Sequence, residues 1–214
     1  MKKDPYHRIA RWYDALFEPI NAGLIAVGMK MLPPVKNLAI LDVGCGTGSQ
    51  LAAYQKAGGA VFGIDSSEAM LNVAREKLGD GARLHLGDAT AMPFDDEAFD
   101  VVTATLVLHE MAAATRDAVI AETKRVLRPR GYLLFTDFHP GPLRPLKGWF
   151  MKVFITLSEM GAGREHFRNY RTFMARKGLP GLIAKHGLVI EKERVVSGGN
   201  MAVFLLRKNA RDDL

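Results

Sequence analysis

The sequence predicts an α/β fold: a seven-stranded, mostly parallel sheet with an antiparallel last strand and helices on both faces. Three observations support this prediction. Apolar runs of strand length alternate with segments of helical length over residues 38–138. A glycine-rich turn at 44–48 joins the first of these runs to a helix. Two late strands are joined only through Ser197-Gly198-Gly199, which favours an antiparallel hairpin.

Length and composition favour a single domain over residues 1–214. The chain is 48% hydrophobic and 24% charged, as is ordinary for a globular domain with a sizeable core. Its only cysteine is Cys45, so a disulfide within the chain is excluded and a reducing compartment is favoured. The sequence shows neither the apolar run of a signal peptide nor one long enough to cross a bilayer. We therefore expect a cytoplasmic protein.

Residues 1–35 predict a helical segment at the N-terminus. Apolar side chains recur there at spacings of three and four residues, the period of an amphipathic helix. Pro19 lacks the amide hydrogen that continues a helix, so we expect it to divide the segment into two short helices. Trp12 and Tyr13 suit either core packing or contact with a ligand. The pattern alone does not decide between these roles.

The glycine-rich turn indicates a ligand site. A buried parallel strand over 38–41 is followed by Asp42 and then by glycines at 44, 46 and 48. Such glycines allow backbone conformations closed to other residues and leave the peptide groups open to a ligand. The dinucleotide pattern G-x-G-x-x-G is not met, because Ser49 stands in place of its third glycine. This spacing disfavours a nicotinamide-dependent oxidoreductase, and a plain strand-to-helix turn remains the alternative.

Acidic residues follow the next two predicted strands. The strand Ala60–Asp65 ends about twenty residues beyond the glycines, where a Rossmann-like fold needs a carboxylate for ribose hydroxyls. The strand Ala82–Leu86 runs into Gly87-Asp88-Ala89. Between these strands, Ser66 precedes a helix in which Met70 suits either the core or contact with an adenine ring. The sequence therefore predicts a nucleoside-like ligand at this edge of the sheet.

These motifs resemble those of the class I S-adenosylmethionine-dependent methyltransferases, in particular the ubiquinone and menaquinone biosynthesis group (methyltransferase type 11 domain). The resemblance covers residues 38–138 and includes Ala91-Met92-Pro93-Phe94 followed by Phe99-Asp100-Val101-Val102. It implies S-adenosylmethionine as cofactor and S-adenosylhomocysteine as product. It also implies a set of cofactor-binding residues: Tyr13, Asp42, Gly44, Cys45, Gly46, Thr47, Gly48, Asp65, Ser66, Met70, Gly87, Asp88, Ala89, Thr105 and Leu106.

The resemblance implies a separate role for each acid. Asp42 orients the loop and the methionine end of the cofactor, Asp65 accepts hydrogen bonds from the ribose hydroxyls, and Asp88 lies near the adenine amino group. Tyr13, in the pair Tyr13-Asp14, is similar to the Tyr-Asp of an N-terminal cap that folds over the cofactor. Cys45 is expected to fill the turn rather than to act as a nucleophile.

His109 is the candidate catalytic residue. It follows the fourth predicted strand, where ligands bind in open α/β sheets, and a histidine there could act as a base near neutral pH. A structural role in fixing the loop is the alternative. Many relatives of this group carry a second histidine where this chain has Glu110. Two neighbouring side chains cannot supply the convergent ligands of a metal centre, so no metal site is predicted.

Residues 141–175 are predicted to form an insertion on the substrate side. Large apolar residues alternate there with basic ones, and Trp149, Phe150 and Phe154 are the candidate substrate contacts. We expect either an amphipathic lid over an apolar substrate or a segment, 141–170, that rests on a membrane surface. A helix packed plainly on the sheet is the alternative.

The basic charge is concentrated around this insertion. Between Arg125 and Lys177 there are eleven Lys and Arg against three acids, while the formal net charge of the whole chain is +6. Such a surface suits an anionic membrane, an acidic substrate or no partner at all. No pattern of interleaved aromatic residues favours a nucleic acid.

The motifs divide the chain into four parts: an N-terminal cap at 1–35, a cofactor-binding core at 36–140, the lid insertion at 141–175, and a C-terminal helix with the closing hairpin at 176–208. The resemblance implies in-line transfer of a methyl group to a small molecule, with a quinone precursor or a lipid-like acceptor among the candidates. A cofactor-binding regulator or assembly factor without turnover remains the alternative. Neither the acceptor nor the oligomeric state follows from the sequence.

Overall fold

A computed structural model describes residues 10–32 and 36–209, without the side chains of residues 11, 13, 15–17 and 19. At its centre is a seven-stranded sheet in the order β3-β2-β1-β4-β5-β7-β6. The strands are β1 (Ala39–Val43), β2 (Ala60–Asp65), β3 (Ala82–Leu86), β4 (Phe99–Thr105), β5 (Leu127–Phe138), β6 (Val189–Val196) and β7 (Met201–Arg207). Strand β7 runs antiparallel to β5 and β6, and the other pairs are parallel. The predicted fold class is confirmed.

Helices cover both faces of this sheet. The described helices are α1 (Ala10–Met31), α2 (Ser49–Lys56), α3 (Glu68–Leu78), α4 (Ala113–Val126), α5 (Lys147–Gly161), α6 (Arg164–Ala175) and α7 (Gly178–Lys185). Successive strand residues point to opposite faces, which gives two apolar cores. Ile40 of β1 packs with α2 and α3, whereas the adjacent Leu41 packs with α4, α6 and α7.

Strand β5 begins before Pro129 and Gly131, two residues that disfavour a regular strand. Leu127 already pairs with Phe99 of β4. The register between the two strands shifts before Val101 pairs with Tyr132, so Pro129 and Gly131 lie in an irregular stretch. A bulge of this kind tolerates residues that a regular ladder excludes.

The predicted break at Pro19 is wrong, because α1 continues through it. The missing amide hydrogen of Pro19 costs this helix one backbone hydrogen bond. Side chains before Pro19 hold the helix on the glycine loop, since Asp14 and Glu18 accept hydrogen bonds from Thr47 and Ser49. Residues after Pro19 reach the core through Leu24. Tertiary contacts on both sides of the proline therefore favour one helix over two.

The strand order places an opening at the carboxyl ends of the central strands. The chain proceeds from β1 outward through β2 to β3, and then returns to the other side of β1 to form β4. Open α/β sheets bind ligands at such a reversal of strand order.

The predicted division into cap, core, lid and hairpin stays a prediction. Its boundary after residue 140 falls between β5 and α5, and its boundary after residue 175 falls at the end of α6. Among residues 10–32 and 36–209, no helix combines the length and the apolar content that a bilayer crossing needs.

Candidate functional site

A cavity of about 560 Å³ opens where the strand order reverses. Its walls are the glycine loop after β1, the ends of β2, β3 and β4, and the beginning of α4. Ten residues of the predicted cofactor set line it: Gly44, Gly46, Asp65, Ser66, Met70, Gly87, Asp88, Ala89, Thr105 and Leu106. The structure thus brings together residues that lie as much as 62 positions apart in the chain.

A smaller recess of about 70 Å³ lies against the same glycine loop. Three further members of the predicted set, Asp42, Cys45 and Thr47, line it together with Gly44 and Gly46. Its wall also includes Asn21 and Ile25 of α1, and Gln50 of α2, which the sequence did not single out. Tyr13 lies in α1, but its side chain is outside the described part of the chain.

The three glycines of the loop have different structural roles. All three have positive φ, at 68° for Gly44, 52° for Gly46 and 77° for Gly48. A Cβ at Gly44 would lie 2.5 Å from Val107, and one at Gly48 would lie 2.8 Å from Leu78. A Cβ at Gly46 would meet nothing within 4 Å, and this residue lines the cavity. Gly44 and Gly48 therefore allow the fold to pack, whereas Gly46 keeps space free for a ligand.

Asp65 connects the glycine loop to the next helix. Its Oδ2 accepts a hydrogen bond from the Gly46 amide at 2.8 Å, and its Oδ1 accepts one from the Ser67 amide at 2.8 Å. A carboxylate oxygen can accept more than one hydrogen bond. Because Asp65 also lines the cavity, the same side chain can hold the loop and accept from ligand hydroxyls. Asp88, two residues after β3, is exposed, lines the same cavity and accepts a hydrogen bond from the Thr90 amide.

Asp42 is buried beneath the loop, with 3% of its surface exposed. Its Oδ1 accepts a hydrogen bond from the Thr103 hydroxyl at 2.6 Å. Burial raises the pKa of Asp42 from 3.8 to about 7, the bond from Thr103 opposes that rise, and the charge of Asp65 adds to it. Ionisation of the Asp42 carboxyl group is thus costly until a cation reaches the recess.

We expect Asp42→Asn to change how stability depends on pH. The folded protein keeps a proton on Asp42 that the unfolded chain releases above pH 3.8, so wild-type stability falls as the pH rises toward 7. The asparagine side chain does not ionise, so its burial adds no cost that depends on pH. The stability of the variant relative to wild type should therefore be about 2 to 3 kcal/mol greater at pH 8 than at pH 5, measured by urea unfolding without cofactor. A difference equal at both pH values, or one matched by the exposed control Asp80→Asn, would contradict this account.

Cys45 and Thr47 are held within the structure rather than presented to the cavity. The Cys45 thiol is buried, and burial raises its pKa well above the ordinary value, which removes its nucleophilic form at neutral pH. The Thr47 hydroxyl donates to Asp14 Oδ1 at 2.5 Å, and Lys77 contacts the other oxygen of Asp14 at 2.6 Å. Helix α1 is thereby joined to the loop and to α3.

Gln50 is the functional candidate that sequence reasoning missed. Its Oε1 accepts from the Thr105 hydroxyl at 2.7 Å, whereas its Nε2 is buried without a hydrogen-bond partner among the described residues. A buried amide donor left unpaired is costly, and because Gln50 lines the recess, a ligand there can supply the missing acceptor. The available signal was a polar side chain in the first turn of the helix that follows the loop.

His109 lies beside the cavity but not in its lining. It is 3% exposed, its Nδ1 lies 2.8 Å from Asp137 Oδ1, and its backbone amide donates to Asp137 Oδ2 at 3.1 Å. Burial lowers the pKa of His109, but the adjacent Asp137 charge and hydrogen bond outweigh it and raise the pKa from 6.5 to about 9. The next residue, Glu110, does line the cavity. This geometry fixes the turn that presents Glu110.

The three aromatic side chains predicted to touch substrate lie on the outside of α5. Trp149 is 64% exposed, Phe150 77% and Phe154 48%, and none of them is in the cavity lining. Four more exposed apolar residues continue the same helical face: Leu146, Val153, Leu157 and Met160. The opposite face of α5 packs inward through Ile155. This arrangement fits a surface contact better than a pocket wall.

Comparison with known proteins agrees with this geometry. Residues 41–135 match the family model described as a methyltransferase domain. The chain is 33% identical over 159 residues to the ubiquinone/menaquinone biosynthesis C-methyltransferase of Bordetella avium, covering 68% of this chain and 60% of that protein. An uncharacterised methyltransferase of Synechocystis is 28% identical over 185 residues, covering 82% of this chain and 81% of that protein.

Solved structures share the fold. An S-adenosylmethionine-dependent methyltransferase from Aquifex aeolicus superposes with a TM-score of 0.64 at 20% identity, covering 96% of this chain and 98% of that one. A second such enzyme, from Mesorhizobium loti, has a TM-score of 0.62 at 19% identity, with coverages of 86% and 96%. At these identities the likeness concerns the fold.

Residues 41–135 therefore form an S-adenosylmethionine-dependent methyltransferase domain. The sequence relatives of the chain include proteins named for ubiquinone and menaquinone biosynthesis and a demethylmenaquinone methyltransferase. The chain spans about 60% of the length of the first of these curated relatives. The described residues fit the cofactor of this class, since the space above Gly46 is open and the buried Gln50 amide needs an acceptor.

Proposed function

We propose that this protein transfers a methyl group from S-adenosylmethionine to a small, apolar acceptor such as a quinone precursor or a lipid-like molecule. The observation that carries the proposal is the mixed composition of the cavity wall. Part of the wall is polar, with the glycine loop and the carboxylates of Asp65 and Asp88. Met111 and Val119 add apolar side chains to it from the segment after β4 and from α4.

The polar side chains of the wall would hold the cofactor. Asp65 would accept from the ribose hydroxyls and Asp88 from the adenine amino group, while Met70 would pack against the adenine ring. Asp42 and Gln50, in the small recess, would meet the ammonium and carboxylate of the amino acid end. These assignments match charge to charge and donor to acceptor.

The apolar side chains of the wall would contact the acceptor. When bound, the cofactor supplies an electrophilic methyl group on a sulfonium centre, so the chain must align the acceptor and exclude water. Met111 and Val119 would contribute to both tasks. Glu110 is the titratable side chain on this wall, and we assign to it any uptake of the acceptor's proton. For His109 we propose a positioning role, because Asp137 holds it in the buried turn beside Glu110.

The names of the relatives support the choice of acceptor class. The Bordetella avium protein is named for ubiquinone and menaquinone biosynthesis, and a relative in Clavibacter sepedonicus, 35% identical over 116 residues, is a demethylmenaquinone methyltransferase. An apolar aromatic acceptor is consistent with the apolar wall described above.

The acceptor class can be tested by measuring release of S-adenosylhomocysteine with a panel of small molecules. We expect turnover with apolar hydroquinones or phenols and none with polar amines such as phosphoethanolamine. The reverse preference would contradict the assignment of the apolar wall.

We further propose that the exposed face of α5 rests on an anionic membrane surface. Seven large apolar side chains on this face are exposed, and Lys147 at its beginning is exposed too. Exposed arginines at 164, 168, 171 and 176 extend the positive charge along α6. A helix with an apolar face flanked by cations binds an anionic bilayer in two ways. The apolar face is buried in the bilayer, and the cations pair with the headgroups.

Replacing Trp149 and Phe150 together by alanine should weaken vesicle binding by tenfold or more, since each aromatic side chain contributes up to roughly 1.5 to 3 kcal/mol when buried. Cosedimentation with phosphatidylglycerol vesicles measures this, with phosphatidylcholine vesicles to show the charge dependence. Trp12→Ala is the matched control, because Trp12 is 70% exposed on α1. Equal binding by the double variant and wild type would remove the membrane assignment.

A further inference from the structure

Two histidines and a glutamate converge beneath α5 and α6. His109 comes from the turn after β4, Glu159 from the end of α5 and His166 from the first turns of α6. The ligand atoms they offer all lie within 4.8 Å of one another. Glu159 Oε2 is 2.7 Å from His166 Nε2 and 3.5 Å from His109 Nε2.

The side chains of this cluster are removed from solvent. The exposed fraction is 4% for His109, 11% for Glu159 and 18% for His166. The rings of Phe138 and Tyr170 pack edge-on against His109. In a cluster so enclosed, each lone pair needs a donor or a cation and each polar hydrogen needs an acceptor, because water cannot replace a missing partner.

The hydrogen bond to Asp137 determines what His109 presents to the cluster. A carboxylate only accepts, so the ring nitrogen beside Asp137, Nδ1, carries the hydrogen. Nε2 of His109 then faces the Glu159 carboxylate at 3.5 Å, and the cation between them is either the proton on Nε2 or a metal ion that takes the place of that proton. Ligand histidines of metal centres commonly make this bond from their second nitrogen to a carboxylate.

We infer that His109, Glu159 and His166 bind a divalent transition-metal ion, with Zn²⁺ as the best fit. Zinc takes nitrogen and carboxylate ligands at about 2.0 to 2.2 Å in tetrahedral geometry, which separates the ligand atoms by about 3.3 to 3.5 Å. The separation of 3.5 Å between His109 and Glu159 already meets this requirement. The 2.7 Å separation between Glu159 and His166 requires an opening of less than about 1 Å, within reach of a glutamate rotation. A water molecule would complete the four ligands.

The ion would fasten the insertion to the sheet. Its ligands join the end of α5 and the beginning of α6 to the turn that presents Glu110 to the cavity. This inference rests on the cluster alone and stands independently of the proposed methyl transfer. The ion is assigned a structural role, since His109 does not line the cavity.

The test uses the full-length, tag-free protein, stripped with a chelator and then titrated with Zn²⁺ against a chromophoric competitor. We expect one equivalent of Zn²⁺ per chain, and with Co²⁺ the visible absorption of a four-coordinate site. Excess Zn²⁺ should raise the melting temperature by roughly 5 °C or more. Glu159→Gln and His166→Asn should each weaken binding by at least about 100-fold and remove the thermal shift.

His186→Asn is the matched control, since its imidazole is partly buried and also contacts a carboxylate, that of Asp117 at 2.9 Å. It should bind Zn²⁺ as wild type does. Circular dichroism of the stripped variants separates loss of a ligand from loss of fold. The inference would be overturned if folded wild type failed to bind one equivalent of Zn²⁺, or if Glu159→Gln and His166→Asn both bound it undiminished. Protons would then be the cations that hold this cluster together. Equal loss in His186→Asn would overturn it as well.

Discussion

Gly46→Val is expected to abolish binding of S-adenosylmethionine while the protein still folds. A Cβ at Gly46 would meet no other residue's atom within 4 Å, so the branches of valine would extend into the space kept for the cofactor. The affinity should fall by more than about 100-fold, measured by isothermal titration calorimetry. A β-branched residue at a φ of 52° also strains the backbone, which should lower the melting temperature.

Gly187→Val separates these two effects. Gly187 is exposed and has a φ of 62°, and a Cβ at this position would likewise meet nothing within 4 Å, but the residue lies away from the cavity. The variant should share the loss of stability and keep the affinity of wild type. Normal cofactor binding by folded Gly46→Val would mean that the loop is not the site.

Asp65→Ala is expected to weaken cofactor binding by about tenfold to several hundredfold. It removes one or two charge-assisted hydrogen bonds to the ribose, each worth roughly 1.5 to 3 kcal/mol. It also removes the bonds from the Gly46 and Ser67 amides, so the loop itself loses support. Calorimetry gives the affinity, and thermal unfolding shows how much of the loss reflects the fold.

Asp95→Ala is the control for this variant, because Asp95 is an exposed acid outside the cavity lining. It should bind the cofactor as wild type does. If Asp65→Ala also kept the wild-type affinity, the assignment of Asp65 to the ribose would be wrong.

The cofactor side of the site was predictable because its signals are local. Each of its parts lies at the end of one strand: Asp42 with the glycines after β1, Asp65 at the end of β2, and Gly87-Asp88-Ala89 after β3. Parallel strands bring their carboxyl ends to one edge, so the order of the motifs along the chain determines where they meet. The same argument predicted the sheet.

The remaining features depend on tertiary packing and leave little trace in the sequence. Glu159 and His166 lie 50 and 57 positions beyond His109, and only the docking of α5 and α6 brings them together. Whether Trp149 faced the cavity or the solvent depended on which side of α5 packs inward. The prediction of a break at Pro19 considered only the local effect of proline on a helix. Tertiary contacts made by residues from Asp14 to Leu24 keep α1 continuous across Pro19.

The most direct test of the central claim is transfer of a labelled methyl group. Purified protein is incubated with methyl-labelled S-adenosylmethionine and a protein-depleted cell extract, alongside Asp65→Ala, and the label is then partitioned between water and an organic solvent. The proposal predicts label in the organic phase with wild type and little or none with the variant. No transfer by wild type that binds the cofactor tightly would contradict it, and would favour a cofactor-binding regulator instead.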